Sequence, residues 1–322
     1  LTGSQTAITV QPAAAATLSV TGIGDPVTAG AAATATVTAL DGFGNVATGY
    51  AGTVSFTSTD EAATLPGAYA LSGTDAGVHQ FPVTLRTAGE QTVIASDGTL
   101  TGSQTAITVE PAAAASMTIQ AGNDAAAVVG SSVATPPAVR VTDAFGNPVA
   151  GVAVNFAVAA GGGGVTDPAP VTNGEGIAAV TAWTMGSTTA MSDTGTFANA
   201  LEATSAAGTV TFTARARYSY ATHVQPIWNA SCTGCHGAIA PALTAGASWG
   251  NLVDQDAVCD ATFKRVALNG TSTAEAMSVL MAKLEGTTLG TCAGVMPPVT
   301  GPLPPATRDV VRAWIRNGAP NN

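Results

Sequence analysis

Charged residues are scarce in this chain: Asp, Glu, Lys and Arg make up only 9% of it, against about 25% in an ordinary soluble domain. Aromatic residues contribute only 5%, although 46% of the residues are hydrophobic, so much of the apolar content is Ala and Val. Long helical periodicity is also missing from most of the chain. These shortages favour secreted β-rich modules over a cytosolic enzyme.

Basic residues are too few to balance the acidic ones, and the net charge is −10. Acids and bases balance from Tyr218 onward, so the residues before it carry the whole excess. Such a surface repels nucleic acid and anionic lipid, which excludes a nucleic-acid partner. No apolar run reaches the roughly 18 residues of a membrane span. A signal peptide is also missing and Leu1 is not an initiator, so we expect a processed or truncated chain.

An internal repeat is present. LTGSQTAITVQPAAAA (Leu1–Ala16) returns as LTGSQTAITVEPAAAA (Leu100–Ala115), with Gln11 against Glu110 as the one difference. A second pair, Asp41–Asn45 and Asp143–Asn147, reads D-x-F-G-N and indicates tight turns. The spacing is close to the length of an immunoglobulin-like sandwich, about 100 residues.

Segments of period-2 alternation flank these turns and predict short strands of antiparallel sandwiches. The clearest are Thr17–Val20, Thr34–Ala39, Gln91–Ala95, Val152–Phe156 and Gly208–Ala214. The second repeat is similar to bacterial immunoglobulin-like domains of the invasin and intimin type in three segments: VTDAFGNPVAGVAVNF (Val141–Phe156), AAVTAWTMG (Ala178–Gly186) and GTVTFTARA (Gly208–Ala216). The first repeat resembles them more loosely, and the family implies a spacer in a surface protein.

No catalytic constellation is visible in these repeats, so the chain is not predicted to be an enzyme. His79 stands alone in a predicted strand, and a solvated or packed side chain is the better interpretation than a metal ligand. Asp41 and Asp143 beside the F-G-N turns could hold calcium, but capping of the turns by their side chains is favoured.

The composition changes after Arg217, where helical periodicity and most of the chemistry-bearing residues occur. The segment N-A-S-C-T-G-C-H-G-A contains Cys232, Cys235 and His236. A thioredoxin-like redox pair needs a βαβ context that is not visible, and a zinc site needs four ligands. Covalent haem attachment needs two thiols one helical turn apart followed directly by a histidine, which C-T-G-C-H supplies.

Three helices are predicted in this region. Tyr220, Val224, Ile227 and Trp228 share one face of a helix that runs into the cysteines. A second helix has a capping box at Ser272–Glu275, an apolar stripe formed by Met277, Leu280, Met281 and Leu284, and ends at Gly286. The last begins after Pro304–Pro305, buries Val310, Val311, Trp314 and Ile315, and ends at Gly318.

The segments VQPIWNASCTGCHG (Val224–Gly237), GVMPP (Gly294–Pro298) and RDVVRAWIRNGAP (Arg308–Pro320) resemble the class I, single-haem c-type cytochrome domain. The resemblance implies an all-α domain with one covalent haem c, thioethers at Cys232 and Cys235, His236 as the proximal iron ligand and Met296 as the distal one. Met277 and Met281 are better explained as core residues. His223, in a bis-histidine site, stays open as an alternative.

Cys259 and Cys292 remain once a haem has taken the other two cysteines. Cytochromes of this type mature outside the cytoplasm, where two leftover thiols oxidise, so we expect a Cys259–Cys292 disulfide. In the chain-entropy model such a bond contributes about 3–4 kcal/mol. Free buried thiols are the alternative.

The predicted organisation is residues 1–12 as a strand of an upstream repeat or an exchanged strand, 13–112 and 113–217 as sandwiches, and 218–322 as the cytochrome domain. The expected function is extracytoplasmic electron transfer, with a redox protein or extracellular acceptor as partner, in a secreted or cell-surface bacterial protein. The alternative is a structural or adhesive protein with an accessory haem domain. For Leu1–Val10 we expect a stalk that continues N-terminally, with strand donation into a homo-oligomeric filament as the rival.

Overall fold

The computed structural model describes residues 9–188, 190–237, 241–257, 264–267, 278–287, 296 and 301–322 of the chain. The predictions on Leu1–Ile8, the Ser272–Glu275 capping box, Met277, Cys259 and Cys292 therefore lie outside the described residues. The chain forms two compact units. One comprises the residues up to Ser116 with Val141–Ala150 and Gly174–Gly176, and the other comprises the remainder.

The first repeat forms two sheets, with strand orders β1-β3-β6 and β2-β8-β7-β4-β5. The strands are β1 Ala15–Thr21, β2 Val27–Thr28, β3 Ala32–Asp41, β4 Thr53–Ser58, β5 Tyr69–Ala70, β6 Val78–Thr84, β7 Gly89–Ser96 and β8 Thr101–Glu110. The three strands predicted here lie inside β1, β3 and β7. The alternation in β3 shows why, because Ala35, Val37 and Ala39 are fully buried while the threonines between them are not.

The core of this sandwich lies between the two sheets. Val20 and Val37 from one sheet and Val93 and Ile107 from the other belong to a single apolar cluster, and each is at most 3% exposed. The buried side chains are mostly small, as the composition predicts. Fully burying a Val or Ile side chain stabilises a fold by about 1.5–3 kcal/mol.

The second repeat forms sheets with strand orders β14-β11-β9 and β10-β17-β16-β12, and a separate pair β13-β15. The strands are β9 Ser116–Ala121, β10 Ala125–Val128, β11 Ala138–Thr142, β12 Asn155–Ala160, β13 Gly163–Thr166, β14 Ile177–Ala179, β15 Ala182–Met185, β16 Phe197–Ser205 and β17 Gly208–Arg217. The described chain is therefore mainly β, in immunoglobulin-like sheets.

One predicted strand is displaced. The sequence places it at Val152–Phe156, whereas β12 begins at Asn155. Val152 and Val154 instead bond to a facing loop: the N–H of Val154 donates to the carbonyl of Pro170 (3.0 Å), and that of Thr172 donates to Val152 (2.9 Å). Val154 is fully buried, so the alternation in this segment reflects burial of its apolar side chains and not pairing within β12.

The closing strand of each repeat has a neighbour on both sides. β8 pairs antiparallel with β7 and parallel with β2, and β17 pairs antiparallel with β16 and parallel with β10. The prediction of closing strands at Leu100–Val109 and Gly208–Ala214 is confirmed. The parallel pairs depart from the predicted antiparallel arrangement, because a short strand early in each repeat crosses to the edge where the closing strand lies.

The D-x-F-G-N segments are tight turns capped by their aspartates, as predicted. Burial raises the pKa of Asp41, but hydrogen bonds from Asn45, Ala13 and Phe43 outweigh this and lower the pKa to about 2. Gly44 and Gly146 adopt positive φ (84° and 88°), whereas both asparagines serve through their side chains. The aspartate oxygens accept N–H groups, so turn capping rather than calcium binding explains them.

His79 is a packed residue, as predicted. Its Nδ1 lies 2.7 Å from a carboxylate oxygen of Asp75, and its ring stacks on Tyr69 with centroids 4.1 Å apart.

The region after Arg217 contains a π-helical turn, Tyr220–Val224, and several short helices. These are α1 Gln225–Ser231, α2 Thr233–His236, α3 Ser248–Leu252, α4 Val279–Glu285 and α5 Pro305–Arg316. Among the described helices none has the length and apolar character that a membrane crossing requires.

The predicted apolar faces of these helices are confirmed where they are described. Tyr220, Val224, Trp228, Trp314 and Ile315 are at most 4% exposed and share one cluster. Gly286 ends α4 in the left-handed conformation (φ 74°).

The predicted helix through Met277 and Met281 differs in one respect, because Ser278 is extended and α4 begins after it. The Ser278 hydroxyl accepts the N–H of Ala267 (3.1 Å), and the N–H of Val279 donates to Lys264 (3.1 Å). These bonds to a neighbouring segment replace the helical ones.

Candidate functional site

Cys232 and His236 lie on one nearly continuous helical segment. The N–H of Cys232 donates to the carbonyl of Trp228 (2.8 Å), and the N–H of His236 donates to the carbonyl of Cys232 (2.9 Å). Cys232 forms the junction between α1 and α2, with φ −125° and ψ −32°. Residues four apart in a helix occupy the same face, so the first cysteine and the histidine of the motif are neighbours.

The segment begins where the second sandwich ends. Ser219 caps the π-helical turn, because its hydroxyl accepts the N–H of Thr222 (3.3 Å), and Pro226 occupies the first turn of α1, where a missing N–H costs nothing. Tyr218, just before the cap, packs edge-on against Phe197 of β16, with ring centroids 5.3 Å apart. Both ends of this connection are thus fixed by local contacts.

A buried polar network holds the motif against the rest of the helical region. The Gln225 side chain donates to Asn229 (2.9 Å) and to the carbonyl of Leu243 (3.0 Å), and it accepts the Ser248 hydroxyl. The hydroxyl of Tyr220 donates to Ser248 in turn. Burial raises the pKa of Tyr220, so this phenol remains a donor over the whole physiological range.

His236 has an unsatisfied ring nitrogen. Its Nδ1 is buried and has no hydrogen-bond partner among the described residues, while its backbone carbonyl accepts the N–H of Leu243 (2.8 Å). A buried polar atom left without a partner costs about 1–3 kcal/mol. Native structures retain few such atoms, and those they retain often belong to a binding or catalytic site.

Cys232 is half-buried and packs against the apolar cluster of the helical region. The backbone of Cys235 belongs to α2, but its side chain lies outside the described part of the structure. The described half of the motif therefore offers one thiol and one imidazole beside apolar packing. These donors fit a covalently attached haem, which needs a thioether sulfur and an axial imidazole next to an apolar wall.

The two described methionines of the site region differ in their surroundings. Met281 is 2% exposed and belongs to the apolar cluster, as the prediction of a core residue requires. Met296 is 37% exposed, and its N–H donates to the carbonyl of Lys283 (2.8 Å), near the end of α4. None of the contacts among the described residues joins Met296 to His236, and the assignment of Met296 as distal ligand stays a prediction.

His223, the alternative ligand, lies at the junction between the second sandwich and α1. Its Nδ1 accepts the N–H of Ser219 (3.2 Å), and its ring packs against Tyr218 with centroids 5.0 Å apart. Burial lowers the pKa of His223, opposed in part by the backbones of Ser219 and Val129.

Arg308 is a residue that the sequence did not single out. Its Nε is buried and has no hydrogen-bond partner in the described part of the chain. Arg308 lies in the first turn of α5, just after the loop of the predicted Met-Pro motif. A buried guanidinium nitrogen without a partner is a candidate for binding an anionic group. Only its place at the start of RDVVRAWIRNGAP could have suggested this.

The described side chains contain no group of three or more His, Cys, Asp and Glu residues that could together hold a metal ion. The described side chains do not include three candidate ligands from the sequence analysis, Cys235, Cys259 and Cys292.

No protein-family model matches the chain, and no curated protein sequence matches it. Among solved structures, it is similar to the Escherichia coli adhesin FdeC, with 24% identity over 61% of this chain and 63% of that one, at a TM-score of 0.34. It is also similar to InvD of Yersinia pseudotuberculosis, with 17% identity over 62% of this chain and 56% of that one, at a TM-score of 0.36.

A third similar structure is that of domains 4 and 5 of the surface-layer protein SbsC, with 18% identity over 64% of this chain and 100% of that one, at a TM-score of 0.30. The chain thus spans less than two thirds of FdeC and InvD as solved. At these TM-scores, the description of the two repeats rests on their own strand pairing and buried cores.

Proposed function

We propose that this is an extracytoplasmic surface protein in which immunoglobulin-like sandwiches carry one covalent haem c, and that its function is electron transfer. Cys232 and Cys235 would form the thioethers, and His236 and Met296 would be the axial ligands. A haem bound there supplies a one-electron iron couple. The observation that carries the proposal is the placement of Cys232 and His236 one helical turn apart on one segment within C-T-G-C-H.

The chain's own residues would position and shield this group. The Gln225–Ser248–Tyr220 network fixes α1 relative to the Leu243 segment and so fixes the orientation of the motif. Trp228 and Trp314, both fully buried, close the apolar side of the helical region against water. Excluding water from one side of a haem raises its reduction potential, because the charged oxidised form is less well solvated.

Arg308 would face the anionic edge of the group. A haem carries two carboxylates, and the buried Nε of Arg308, which has no partner among the described residues, could donate to one of them. A fixed cation at that position favours the reduced iron, because reduction adds a negative charge. The expected partner is a redox protein or an extracellular acceptor.

The second candidate is a structural or adhesive surface protein in which the haem domain is accessory or sensory. It is favoured by the share of the chain in sandwiches, which extend to Arg217 and contain no group of metal-ligating side chains in their described residues. The candidates differ at the iron, because electron transfer uses an iron with both axial positions occupied by protein, whereas gas sensing needs an open one.

A redox titration with carbon monoxide addition distinguishes them. We would produce the chain in bacteria that make c-type cytochromes and titrate it while recording its absorbance, with His79→Gln as the control variant. Electron transfer requires a reversible one-electron couple and a ferrous spectrum that carbon monoxide leaves unchanged. Carbon monoxide binding to the unmodified ferrous protein would favour the sensory candidate, and a purified chain without haem would refute both haem assignments.

A further inference from the structure

The two D-x-F-G-N turns are built alike. Asp41 accepts the N–H groups of Phe43 and Asn45 (both 2.9 Å), and Asp143 accepts those of Phe145 (2.8 Å) and Asn147 (2.9 Å). Each aspartate also accepts one N–H from the residue that leads into its repeat, Ala13 at 3.0 Å and Ala112 at 2.9 Å. The turn and the chain entering the repeat are thus held by the same hydrogen bonds in both repeats.

The second turn makes further contacts with residues of the first sandwich, inside the same compact unit. The side chain of Asn147 donates to the carbonyl of Arg86 (2.7 Å) and accepts the N–H of Ala88 (2.9 Å). The guanidinium of Arg86 lies 5.9 Å from the centroid of the Phe145 ring. Gly30 leaves space for that ring, because a Cβ there would lie 2.3 Å from its Cζ.

The loop that receives this turn is held rigidly. The carboxylate of Asp60, 3% exposed, accepts the N–H groups of Arg86 (2.6 Å) and Thr87 (3.0 Å). The Arg86 side chain donates to the carbonyl of Ala62 and to the Thr64 hydroxyl, both at 2.7 Å. The carbonyl of Arg86 and the N–H of Ala88 are therefore preorganised for an amide side chain.

The first turn presents the same groups without those contacts. Phe43 is 87% exposed, against 44% for Phe145. Asn45 is exposed, whereas Asn147 is 7% exposed, and the bonds of the Asn45 amide in the described chain go to Asp41. The first turn thus has the same conformation as the second, but its Phe43 and Asn45 side chains are exposed.

We propose that Phe43 and Asn45 form a docking surface, and that its occupant is another sandwich of this repeat type, joined ahead of Ala13. That sandwich would present its counterparts of Arg86 and Ala88 to Asn45. The near-identity of Leu1–Ala16 and Leu100–Ala115 supports this occupant, because the chain then enters both repeats through the same sequence. A second copy of this chain is a poorer occupant, since Asn147 already takes its Arg86–Ala88 loop.

An extended chain tests the proposal. A copy of residues Ala13–Thr99 placed directly ahead of Leu1 would be completed by Leu1–Val10, as the native repeat is completed by Leu100–Val109. The exposed Glu90→Gln change in the added copy marks its Arg86–Ala88 peptide by mass. Hydrogen exchange of the marked and native peptides would then be compared in the parent chain and in Phe43→Ala, Asn45→Ala and Asn147→Ala variants.

We expect Asn45→Ala to accelerate exchange of the marked peptide, and Asn147→Ala that of the native peptide, each by about fivefold, the factor for one lost hydrogen bond. Phe43→Ala should also accelerate hydrogen exchange of the marked peptide. The proposal would be overturned if Asn45→Ala left the exchange rate of the marked peptide unchanged. It would also be overturned if Asn147→Ala left the exchange rate of the native peptide unchanged. A concentration-dependent response to Asn45→Ala in the 322-residue chain would assign the surface to a second copy instead.

A second measurement does not depend on the folding of the added copy. In the 322-residue chain, Asn147→Ala should lower the ratio of folded to unfolded protein by about 25-fold more than Asn45→Ala does. It also loses two hydrogen bonds, to Arg86 and to Ala88, and each contributes about fivefold. Equal losses would mean that both asparagines serve their own turns alone, and the docking role would be wrong.

Discussion

The backbone N–H of His236 donates to the carbonyl of Cys232 at 2.9 Å, so the first thiol and the imidazole of C-T-G-C-H lie one helical turn apart. This relationship supports the haem proposal, because it places one thiol and one imidazole on the same face of a segment that packs against the apolar cluster. Cys232 and Cys235 would hold the haem, and His236 would supply an axial ligand to its iron.

Replacing His236 should remove the proximal ligand. In His236→Ala, Cys232 and Cys235 remain for attachment, but the absorbance spectrum should change to that of a five-coordinate or misligated iron. His223→Ala should keep the parent spectrum, because His223 is engaged with Ser219 and Tyr218. His79→Ala is the matched control. A spectrum that changes in His223→Ala and not in His236→Ala would exchange the roles of the two histidines.

Met296 and Met281, the two described methionines of the helical region, should respond in opposite ways. Met296→Ala should open the distal position, so that the ferrous protein binds carbon monoxide, with little loss of stability because Met296 is 37% exposed. Met281→Ala should keep the iron closed to carbon monoxide and lower the free energy of unfolding by about 2–5 kcal/mol, as expected for a buried methionine. Carbon monoxide binding confined to the Met281 variant would refute the assignment of Met296.

Cys259 and Cys292 should be joined in the protein isolated from an oxidising compartment. Mass spectrometry of a protease digest made without reduction should show the peptides of the two cysteines linked. The linked species should disappear in Cys259→Ser. Alkylation of either cysteine in the folded, unreduced protein would contradict the expected disulfide.

The first sandwich and the two D-x-F-G-N turns should withstand mild acid and lose stability only at low pH. Hydrogen bonds, outweighing burial, lower the pKa of Asp60 and Asp143, and that of Asp41 to about 2. Because the unfolded value is about 3.9, their contribution is complete above that pH and is lost as the pH falls through the folded-state values. Denaturant unfolding should therefore give nearly constant stability from pH 7 to about 5 and a decline between pH 4 and 2.

Asp143→Ala should weaken that decline and lower stability at pH 7 by about 1–3 kcal/mol, since N–H groups of Ala112, Phe145 and Asn147 lose their acceptor. Glu90→Gln, at an exposed position, serves as the control. Stability that falls between pH 7 and 5 to the same extent in the parent and in Asp143→Ala would show that other groups govern the acid response.

The sequence predicted those parts of the fold that depend on local pattern. Alternation located β3 and β7, the Asp-x-Phe-Gly-Asn spacing located the capped turns, and the apolar stripe located α5. These features arise within a few residues, where periodicity and turn chemistry act directly.

Features that depend on distant partners were missed. β12 begins later than predicted because Val152 and Val154 form hydrogen bonds with a loop near Pro170. Ser278 lies outside the predicted helix because the N–H of Ala267 donates to its hydroxyl. The docking of Asn147 on Arg86 and the burial of Arg308 Nε also depend on residues far away in the chain, which no local pattern reports.

Covalent attachment of a single haem through Cys232 and Cys235 can be measured by intact-mass spectrometry under denaturing conditions. The chain would be purified from bacteria that make c-type cytochromes, beside a Cys232→Ser/Cys235→Ser double variant. We expect a parent mass equal to the polypeptide plus one haem, and a double variant with the mass of the polypeptide alone. A parent chain at the bare polypeptide mass, from cells that load a known c-type cytochrome in parallel, would rule out covalent haem attachment.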